Sequence, residues 1–141
     1  MTGRRSGIPR LRLHFASAEL APLALSGGLG EAVAGLARAL AARGHEVTCL
    51  LPAHRSALDS PELPALEEAG PVRLPVPDGE GHLTGRWLEG RLGPLRLLLL
   101  DLPALYDRPG LYVGGGDPAL AERLDRKSTR LNSSHRTTSR M

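Results

Sequence analysis

The spacing of apolar residues changes twice within the first third of the chain. Two short apolar runs, residues 11–17 (LRLHFAS) and 46–52 (EVTCLLP), have the length and composition of β-strands. Between them, residues 29–43 place apolar side chains three or four positions apart, which is the repeat of an α-helix. Four apolar residues are predicted to form its packing face, Leu29, Val33, Leu36 and Leu40, and Ala32, Ala37 and Ala39 are expected to be small enough to pack close. Strand, helix and strand in this order predict a parallel βαβ unit.

Past residue 52 the pattern indicates mainly strands. Residues 72–76 and 83–92 are typical of strands with glycine breaks, and residues 60–68 are expected to form one short helical turn because Pro64 prevents a longer helix. Residues 95–101 (LRLLLLD) form the strongest strand signal of this half. A nearly continuous apolar run predicts a strand that is buried on both faces of its sheet.

A glycine-rich loop, residues 26–30 (SGGLG), lies where the first strand leads into the helix. Glycines let a ligand approach the backbone, and the first N–H groups of a helix carry partial positive charge. The loop is therefore a candidate site for phosphate or another anion, with a purely structural turn as the alternative. It is not a P-loop, because no Gly-Lys-Ser/Thr follows. It also lacks the dinucleotide fingerprint, because Val33 stands where the third glycine would be.

The same stretch resembles the N-terminal region of the bacterial glycogen synthases and plant starch synthases. That family carries S-E-x-A-P-x-x-K-T-G-G-L-G-D, followed by a helix, R-G-H-E-V and a strand that ends in L-P. The matching positions are Glu19, Ala21, Pro22, Gly27, Gly28, Leu29, Gly30, residues 43–47 and residues 51–52. Residues 107–112 (DRPGLY) also look like a family segment, and the resemblance covers about residues 11–124.

This resemblance implies both a fold and an activity. The fold class is α/β: an incomplete Rossmann-like N-terminal domain of a GT-B glycosyltransferase, with a mostly parallel sheet and flanking helices. The implied reaction moves glucose from ADP-glucose to the non-reducing end of an α-1,4-glucan with retention, so these two molecules are the implied partners. No cofactor and no metal are implied. Most residues that hold the donor in the family lie beyond this segment, so the segment alone is expected to be inactive and to contain no catalytic residue.

The resemblance also assigns candidate contacts to the nucleotide sugar. It places them at Ser26, Gly27, Gly28 and Gly30, and the lysine that contacts the donor phosphates in the family falls at Leu25. Leucine for lysine removes a mobile cation and leaves backbone dipoles to hold the phosphates. A lost charge-assisted contact costs roughly 1.5–3 kcal/mol, so donor affinity is expected to be lower by about one to two decades.

Three other side chains are candidates for chemistry. His54 follows the second strand, where open α/β sheets bind ligands, but a histidine in a surface loop is the favoured interpretation. Asp101 closes the strand at 95–101, and a carboxylate that caps the next turn is favoured over a ligand-binding one. Cys49 is the only cysteine, and its place in a strand predicts a buried, unreactive thiol. No Cys/His cluster has metal-ligand spacing.

The net charge of +3 is concentrated in residues 125–141. This tail carries five basic side chains and one acidic, so the first 124 residues have a net charge of −1, which argues against a nucleic-acid partner. The tail also contains the only lysine and the only asparagine of the chain. Its sequence DRKSTRLNSSH resembles one reading frame of a common sequencing adapter. The tail is therefore interpreted as non-native, with a disordered basic tail as the alternative.

The predicted organisation is a flexible N-terminus (1–10), a synthase-like segment (11–124) and the tail (125–141), with the chain as a fragment of a longer protein. No apolar run approaches the ~18 residues that span a membrane, and one cysteine allows no internal disulfide, so a cytoplasmic protein is expected. Two alternative functions remain open. One is a non-catalytic α/β module that binds a nucleotide or a glucan, and the other is a GT-B transferase that uses another nucleotide sugar.

Overall fold

The computed structural model describes residues 7–76, 80–107 and 110–111. The elements along the chain are β1 (Arg12–Ala16), α1 (Gly28–Ala42), β2 (Glu46–Pro52), α2 (Arg55–Leu58), β3 (Glu67–Pro75), β4 (His82–Leu92), β5 (Leu95–Asp101) and α3 (Pro103–Tyr106). The bounds of β2 and β5 are those predicted from the sequence. The tail, residues 125–141, lies outside the described residues.

The five strands form one mixed sheet in the order β1-β2-β5-β4-β3. β2 pairs in parallel with β1 on one side and with β5 on the other. β4 pairs antiparallel with both β5 and β3. The helix α1 connects the parallel neighbours β1 and β2, so the predicted βαβ unit and the α/β fold class are confirmed.

The helix α1 packs on the sheet through its smallest residues rather than through the predicted leucine face. Gly30, Ala34 and Ala37 are its buried residues, whereas Leu29 and Leu36 are 50% and 53% exposed. Two further residues of the predicted face lie at the edge of the contact, half-buried against the core: Val33 and Leu40. The predicted leucine face is therefore wrong by roughly a quarter of a turn of the helix, and of the alanines expected to pack close, Ala37 is buried whereas Ala32 and Ala39 are exposed. Small side chains let the helix approach β2 and β5 closely.

The strand β5 lies in the middle of the sheet and supplies much of the core. Leu95, Leu97 and Leu99 are at most 1% exposed and belong to the same apolar cluster as α1. The alternate residues Leu98 and Leu100 are only half-buried. The prediction that this strand is buried on both faces is therefore confirmed for the face under α1. It is wrong for the opposite face within the described residues, because α1 packs on a single side of the sheet.

The helical turn predicted at residues 60–68 is wrong. The turn of helix lies earlier, at α2, and the strand β3 already begins at Glu67. Between them the chain crosses β4 at Gly90, where an added Cβ would lie 2.8 Å from the carbonyl oxygen of Ala65 and 2.8 Å from Cδ2 of Leu66. This crossing brings Leu63 and Leu66 against the core cluster, a tertiary contact that overrides the local helical signal.

Candidate functional site

The connection from β1 to α1 is folded tightly against the start of the helix. Leu20 and Ala24 bond each other through both of their backbone N–H groups, with N–O distances of 3.0 Å, and the peptide bond between Ala21 and Pro22 is cis. The Ala21 N–H donates to the carbonyl oxygen of Gly30 at 3.1 Å. These bonds hold the connection beside the first turn of α1, next to the carboxyl end of β1.

Glu19 holds the glycine loop from within. The residue is 3% exposed, and its Oε1 accepts the N–H of Ser26 at 2.6 Å and the N–H of Gly27 at 3.2 Å. Its own N–H donates to Oγ of Ser17 at 3.2 Å. Two backbone donors that were predicted to be available to an anion, those of Ser26 and Gly27, therefore bond the side chain of Glu19. Sequence reasoning missed this role, because the acceptor and its first donor are seven positions apart and fit no local capping motif.

The three glycines of the loop differ in what the fold requires of them. An added Cβ at Gly30 would collide with Cδ2 of Leu25 and lie 3.1 Å from the carbonyl oxygen of Ala24, so a side chain at this position would require Leu25 to move and would crowd the backbone of Ala24. Gly27 and Gly28 have no atom within 4 Å of an added Cβ. The described fold has no steric need for glycine at these two positions, which leaves open space beside an exposed backbone.

Leu25 lies across the start of α1. Its Cδ2 contacts the position of Gly30, and 46% of the residue is exposed. The position at which the resemblance places the family lysine is therefore beside the first turn of α1. No basic residue lies in the loop sequence itself, SGGLG.

The donors that remain at this end of α1 belong to its first turn. A helix leaves its first N–H groups without intrahelical acceptors, and Gly28 and Leu29 are exposed residues. Gly27, the N-cap residue, has no side chain that could accept a hydrogen bond from these N–H groups. These N–H groups and the helix dipole can hold one anionic group, such as a phosphate, at the open surface of Gly27 and Gly28.

An apolar cavity of about 350 Å³ adjoins the connection at the carboxyl ends of β1 and β2. Its lining comes from the ends of β1, β2 and β5, from the residues after β1 and from β4: Ala16, Ser17, Ala18, Leu50, Leu51, Pro52, Trp87 and Leu100. The cavity offers an aromatic ring and aliphatic surface but few polar groups. It lies on the half-exposed face of the sheet, opposite α1.

His54 is buried, so the prediction of a surface-loop histidine is wrong. The residue is 2% exposed, and its ring packs edge-on against the ring of Tyr106 with centroids 5.3 Å apart. The turn α3, which brings Tyr106 over His54, is tied to α2 by Arg55, whose Nη2 donates to Oδ1 of Asp107 at 2.8 Å. This cover comes from a segment about fifty positions later, which local sequence cannot reveal.

Asp101 forms an ion pair instead of capping the next turn. Its Oδ2 accepts Nε of Arg86, the residue opposite it in the neighbouring strand, at 3.0 Å. Arg86 also donates to Glu68 at 3.2 Å, and these hydrogen bonds raise its pKa. The turn α3 that follows has no side-chain cap. Asp101 also lines a second cavity of about 280 Å³ between α2 and α3, but its carboxylate is engaged in a structural pair.

Cys49 is 2% exposed, as predicted for a buried thiol. Burial raises the pKa of the thiol, against a smaller lowering effect from Arg38. The protonated form is therefore favoured, and Cys49 is a poor nucleophile. Within the described ranges, no group of His, Cys, Asp and Glu side chains is arranged to hold a metal ion.

A helix N-terminus opened by glycines beside the carboxyl ends of parallel strands is typical of α/β domains that bind anionic ligands at this edge. The sequence profile described as the starch synthase catalytic domain matches residues 12–130. The chain belongs to this starch synthase catalytic domain family.

Curated relatives agree with this assignment. The chain is 41% identical over 104 residues to a glycogen synthase of Dechloromonas aromatica, covering 71% of the chain and 20% of the relative. It is 40% identical over 126 residues to a glycogen synthase of Bordetella bronchiseptica, covering 80% of the chain and 22% of the relative. The chain thus spans about a fifth of the length of these relatives.

A solved structure supports the fold as well. The catalytic domain of starch synthase IV from Arabidopsis thaliana, bound to ADP and acarbose, superposes with a TM-score of 0.63 at 28% identity, covering 74% of this chain and 21% of that one. The resemblance predicted from the glycine loop and the RGHEV segment is confirmed. Among the described residues, no helix is long and apolar enough to cross a membrane.

Proposed function

We propose that the protein to which this chain contributes transfers glucose from ADP-glucose to the non-reducing end of an α-1,4-glucan, with retention. The observation that carries the proposal is the glycine loop at the start of α1, in a chain that matches the starch synthase catalytic domain over residues 12–130. A nucleoside diphosphate sugar has the charge that this helix end favours. The starch synthase structure similar to this chain is bound to ADP and acarbose.

Within this proposal, the donor diphosphate lies at the open surface of Gly27 and Gly28. The N–H groups at the start of α1 donate to it, the Ser26 hydroxyl lies within the same loop, and Gly30 keeps the loop close to the helix. Leu25 occupies the position of the family lysine and supplies no charge. The departing diphosphate therefore needs cations from elsewhere in the protein, because preorganised positive charge is what stabilises such a leaving group.

The test is glucan elongation by the longest reading frame that contains this chain. Purified protein is incubated with glycogen and with ADP-, UDP- or GDP-glucose, and release of the nucleoside diphosphate is measured together with incorporation of labelled glucose. The proposal requires elongation with ADP-glucose at a higher kcat/KM than with the other two donors. Elongation with UDP- or GDP-glucose alone would favour the alternative of a different nucleotide sugar, and no elongation with any donor would contradict the proposal.

A matched pair of glycines separates the ligand site from the fold. Gly28 in the loop and Gly35 in the middle of α1 both have no atom within 4 Å of an added Cβ. We expect Gly28→Ala to raise KM for ADP-glucose about tenfold, because the methyl group occupies the surface that faces the diphosphate, while the Tm stays unchanged. Gly35→Ala should leave KM unchanged. Equal KM values for both variants would contradict the placement of the donor.

The second candidate function is a non-catalytic module that binds a nucleotide or a glucan. Leu25 is the observation that favours it, because the family lysine is missing at the edge of the loop. Such a module would bind ADP, measured by calorimetry, without elongating glycogen under any donor. ADP binding together with elongation would exclude it.

A further inference from the structure

Glu19 lies beneath the glycine loop as a buried carboxylate. One oxygen, Oε1, accepts two successive backbone N–H groups, those of Ser26 at 2.6 Å and Gly27 at 3.2 Å. Burying a carboxylate is unfavourable unless N–H donors compensate for the lost water. The buried side chain of Glu19 therefore stabilises one conformation of the chain, in which residues 26 and 27 lead into α1.

A second set of contacts attaches residues 19–21 to the helix α1. The Ala21 N–H donates to the Gly30 carbonyl oxygen at 3.1 Å, and Cβ of Glu19 would lie 3.3 Å from a Cβ added at Gly30. Glu19 thus bonds the loop before α1, and Ala21 bonds the first turn of α1 itself.

The two bonds to Glu19 also decide which donors a ligand can use. The N–H groups of Ser26 and Gly27 already donate to Oε1 of Glu19, so an anion at the same place would have to displace those hydrogen bonds. The exposed residues Gly28 and Leu29 follow directly and belong to the first turn of α1. An anion is therefore expected to meet the N–H groups of the next two residues, in the first turn of α1.

We propose that Glu19 is a positioning residue for the donor: its carboxylate holds the N–H groups of Ser26 and Gly27 so that the diphosphate meets those of Gly28 and Leu29. This inference rests on the proposed function. The loop is positioned by a hydrogen-bond acceptor at the distance of Glu19 Oε1 from the backbone, and not by the charge of the side chain. Glutamine at position 19 keeps that acceptor, aspartate keeps the charge but is one methylene shorter, and alanine keeps neither.

The test compares Glu19→Gln, Glu19→Asp and Glu19→Ala with a control, Glu62→Ala, whose residue is exposed in the loop before β3. The first readout needs no ligand: amide hydrogen exchange at Ser26 and Gly27 in the 141-residue chain. We expect exchange at these two amides to be about tenfold faster or more in the alanine and aspartate variants, and close to wild type in the glutamine variant and in the control. Unchanged exchange in Glu19→Ala would overturn the proposal.

The second readout is steady-state kinetics with ADP-glucose in the longer protein that contains the chain. Loss of the positioned donors should raise KM about tenfold in Glu19→Ala with kcat changed by less than about twofold, and Glu19→Gln should restore the wild-type KM. A glutamine variant as impaired as the alanine variant would overturn the proposal, since charge would then be the cause. Where Glu19→Ala loses its fold, as judged by circular dichroism, Glu19→Asp takes its place in both readouts.

A wild-type measurement complements the variants. In the 141-residue chain labelled with ¹⁵N-glycine, ADP should shift the amide signal of Gly28 more than that of Gly27, whereas a larger shift at Gly27 would overturn the proposal. Failure of the proposed function is seen separately, as no elongation by the wild-type protein with any donor. The exchange readout would in that case still decide whether Glu19 holds the loop.

Discussion

At the scale of single residues, Leu25 is the difference from the family's sequence pattern that is expected to affect function most. The side chain is 46% exposed and lies over Gly30 at the helix end where an anion is favoured. We expect Leu25→Lys to tighten binding of ADP about ten- to hundredfold, because it restores a charge-assisted contact to the diphosphate. Titration calorimetry with ADP measures this.

The control for that substitution is Leu74→Lys, since Leu74 is similarly exposed at 40% but lies on the edge strand β3. It adds the same net charge to the molecule at a position outside the loop. An equal gain in ADP affinity for both variants would show a general effect of charge and would contradict a specific site at residue 25.

Gly30 makes a prediction about stability that runs against helix propensity. Alanine normally stabilises a helix relative to glycine by about 0.5–1 kcal/mol, and this is expected for Gly35→Ala, which meets open space. Gly30→Ala should instead lower the free energy of unfolding by about 1–3 kcal/mol, because its methyl group collides with Leu25 and approaches the Ala24 carbonyl oxygen. Urea unfolding of the two variants gives the comparison. Equal stabilisation by both would contradict the tight packing of the loop on α1.

At the scale of elements, the ion pair between Glu89 of β4 and Arg96 of β5 is expected to make the stability of this hairpin depend on pH. Nε of Arg96 donates to Oε1 of Glu89 at 2.6 Å, and this hydrogen bond lowers the pKa of Glu89 below its ordinary value of 4.5. Because the folded-state pKa lies below the unfolded one, the stabilisation is present above about pH 4.5 and is lost as the pH falls through the folded-state value.

We therefore expect wild type to be more stable than Glu89→Gln at pH 7, with the difference shrinking as the pH falls toward 3. Both side chains are more than a third exposed, so the difference at pH 7 should be small and should decrease at high salt. Urea unfolding across this pH range measures it, with Arg96→Met as a variant that removes the same pair from the other strand. A difference that stays constant with pH would contradict the role of the Glu89 charge.

At the scale of the whole molecule, the two faces of the sheet differ. One face carries Leu95, Leu97 and Leu99 under α1, and the other presents Leu98, Leu100 and Trp87 only half-buried. Parallel strands in α/β proteins are covered by helices on both faces. Within the part of the chain that the structure describes, this second face, called the open face, is less completely buried than the face under α1.

The open face leads to a prediction for the 141-residue chain itself. Exposed apolar surface binds the aromatic rings of anilinonaphthalene sulfonate, so this dye should bind at the cavity and should accept energy from Trp87, the only tryptophan. Leu100→Glu, which places a charge in the lining of this cavity, should remove most of the dye signal. Leu74→Glu, on the edge strand β3, should leave it intact. Equal dye binding by both variants would place the dye elsewhere.

The strands, the helix α1 and the family could be predicted from the sequence, because each of these depends on neighbouring residues. The helical turn expected at residues 60–68 was wrong, and the short helices α2 and α3 were not predicted. The strand signals at residues 46–52 and 95–101 coincide with β2 and β5, and the helix signal at 29–43 coincides with α1. Apolar spacing reports local backbone geometry directly. The ordered match from Glu19 to Pro52 identified the family through the types and order of residues alone.

Only the tertiary structure decided which surfaces these elements use. In the tertiary structure, the alanines of α1 face the sheet rather than Leu29 and Leu36. His54 is buried under Tyr106, and Asp101 pairs with Arg86. The tertiary structure also directs the loop N–H groups of residues 26 and 27 to the carboxylate of Glu19. Each of these outcomes depends on which distant segments compete for one place. Sequence periodicity records the shape of a segment but not its neighbours, whereas packing and hydrogen bonding are decided between segments.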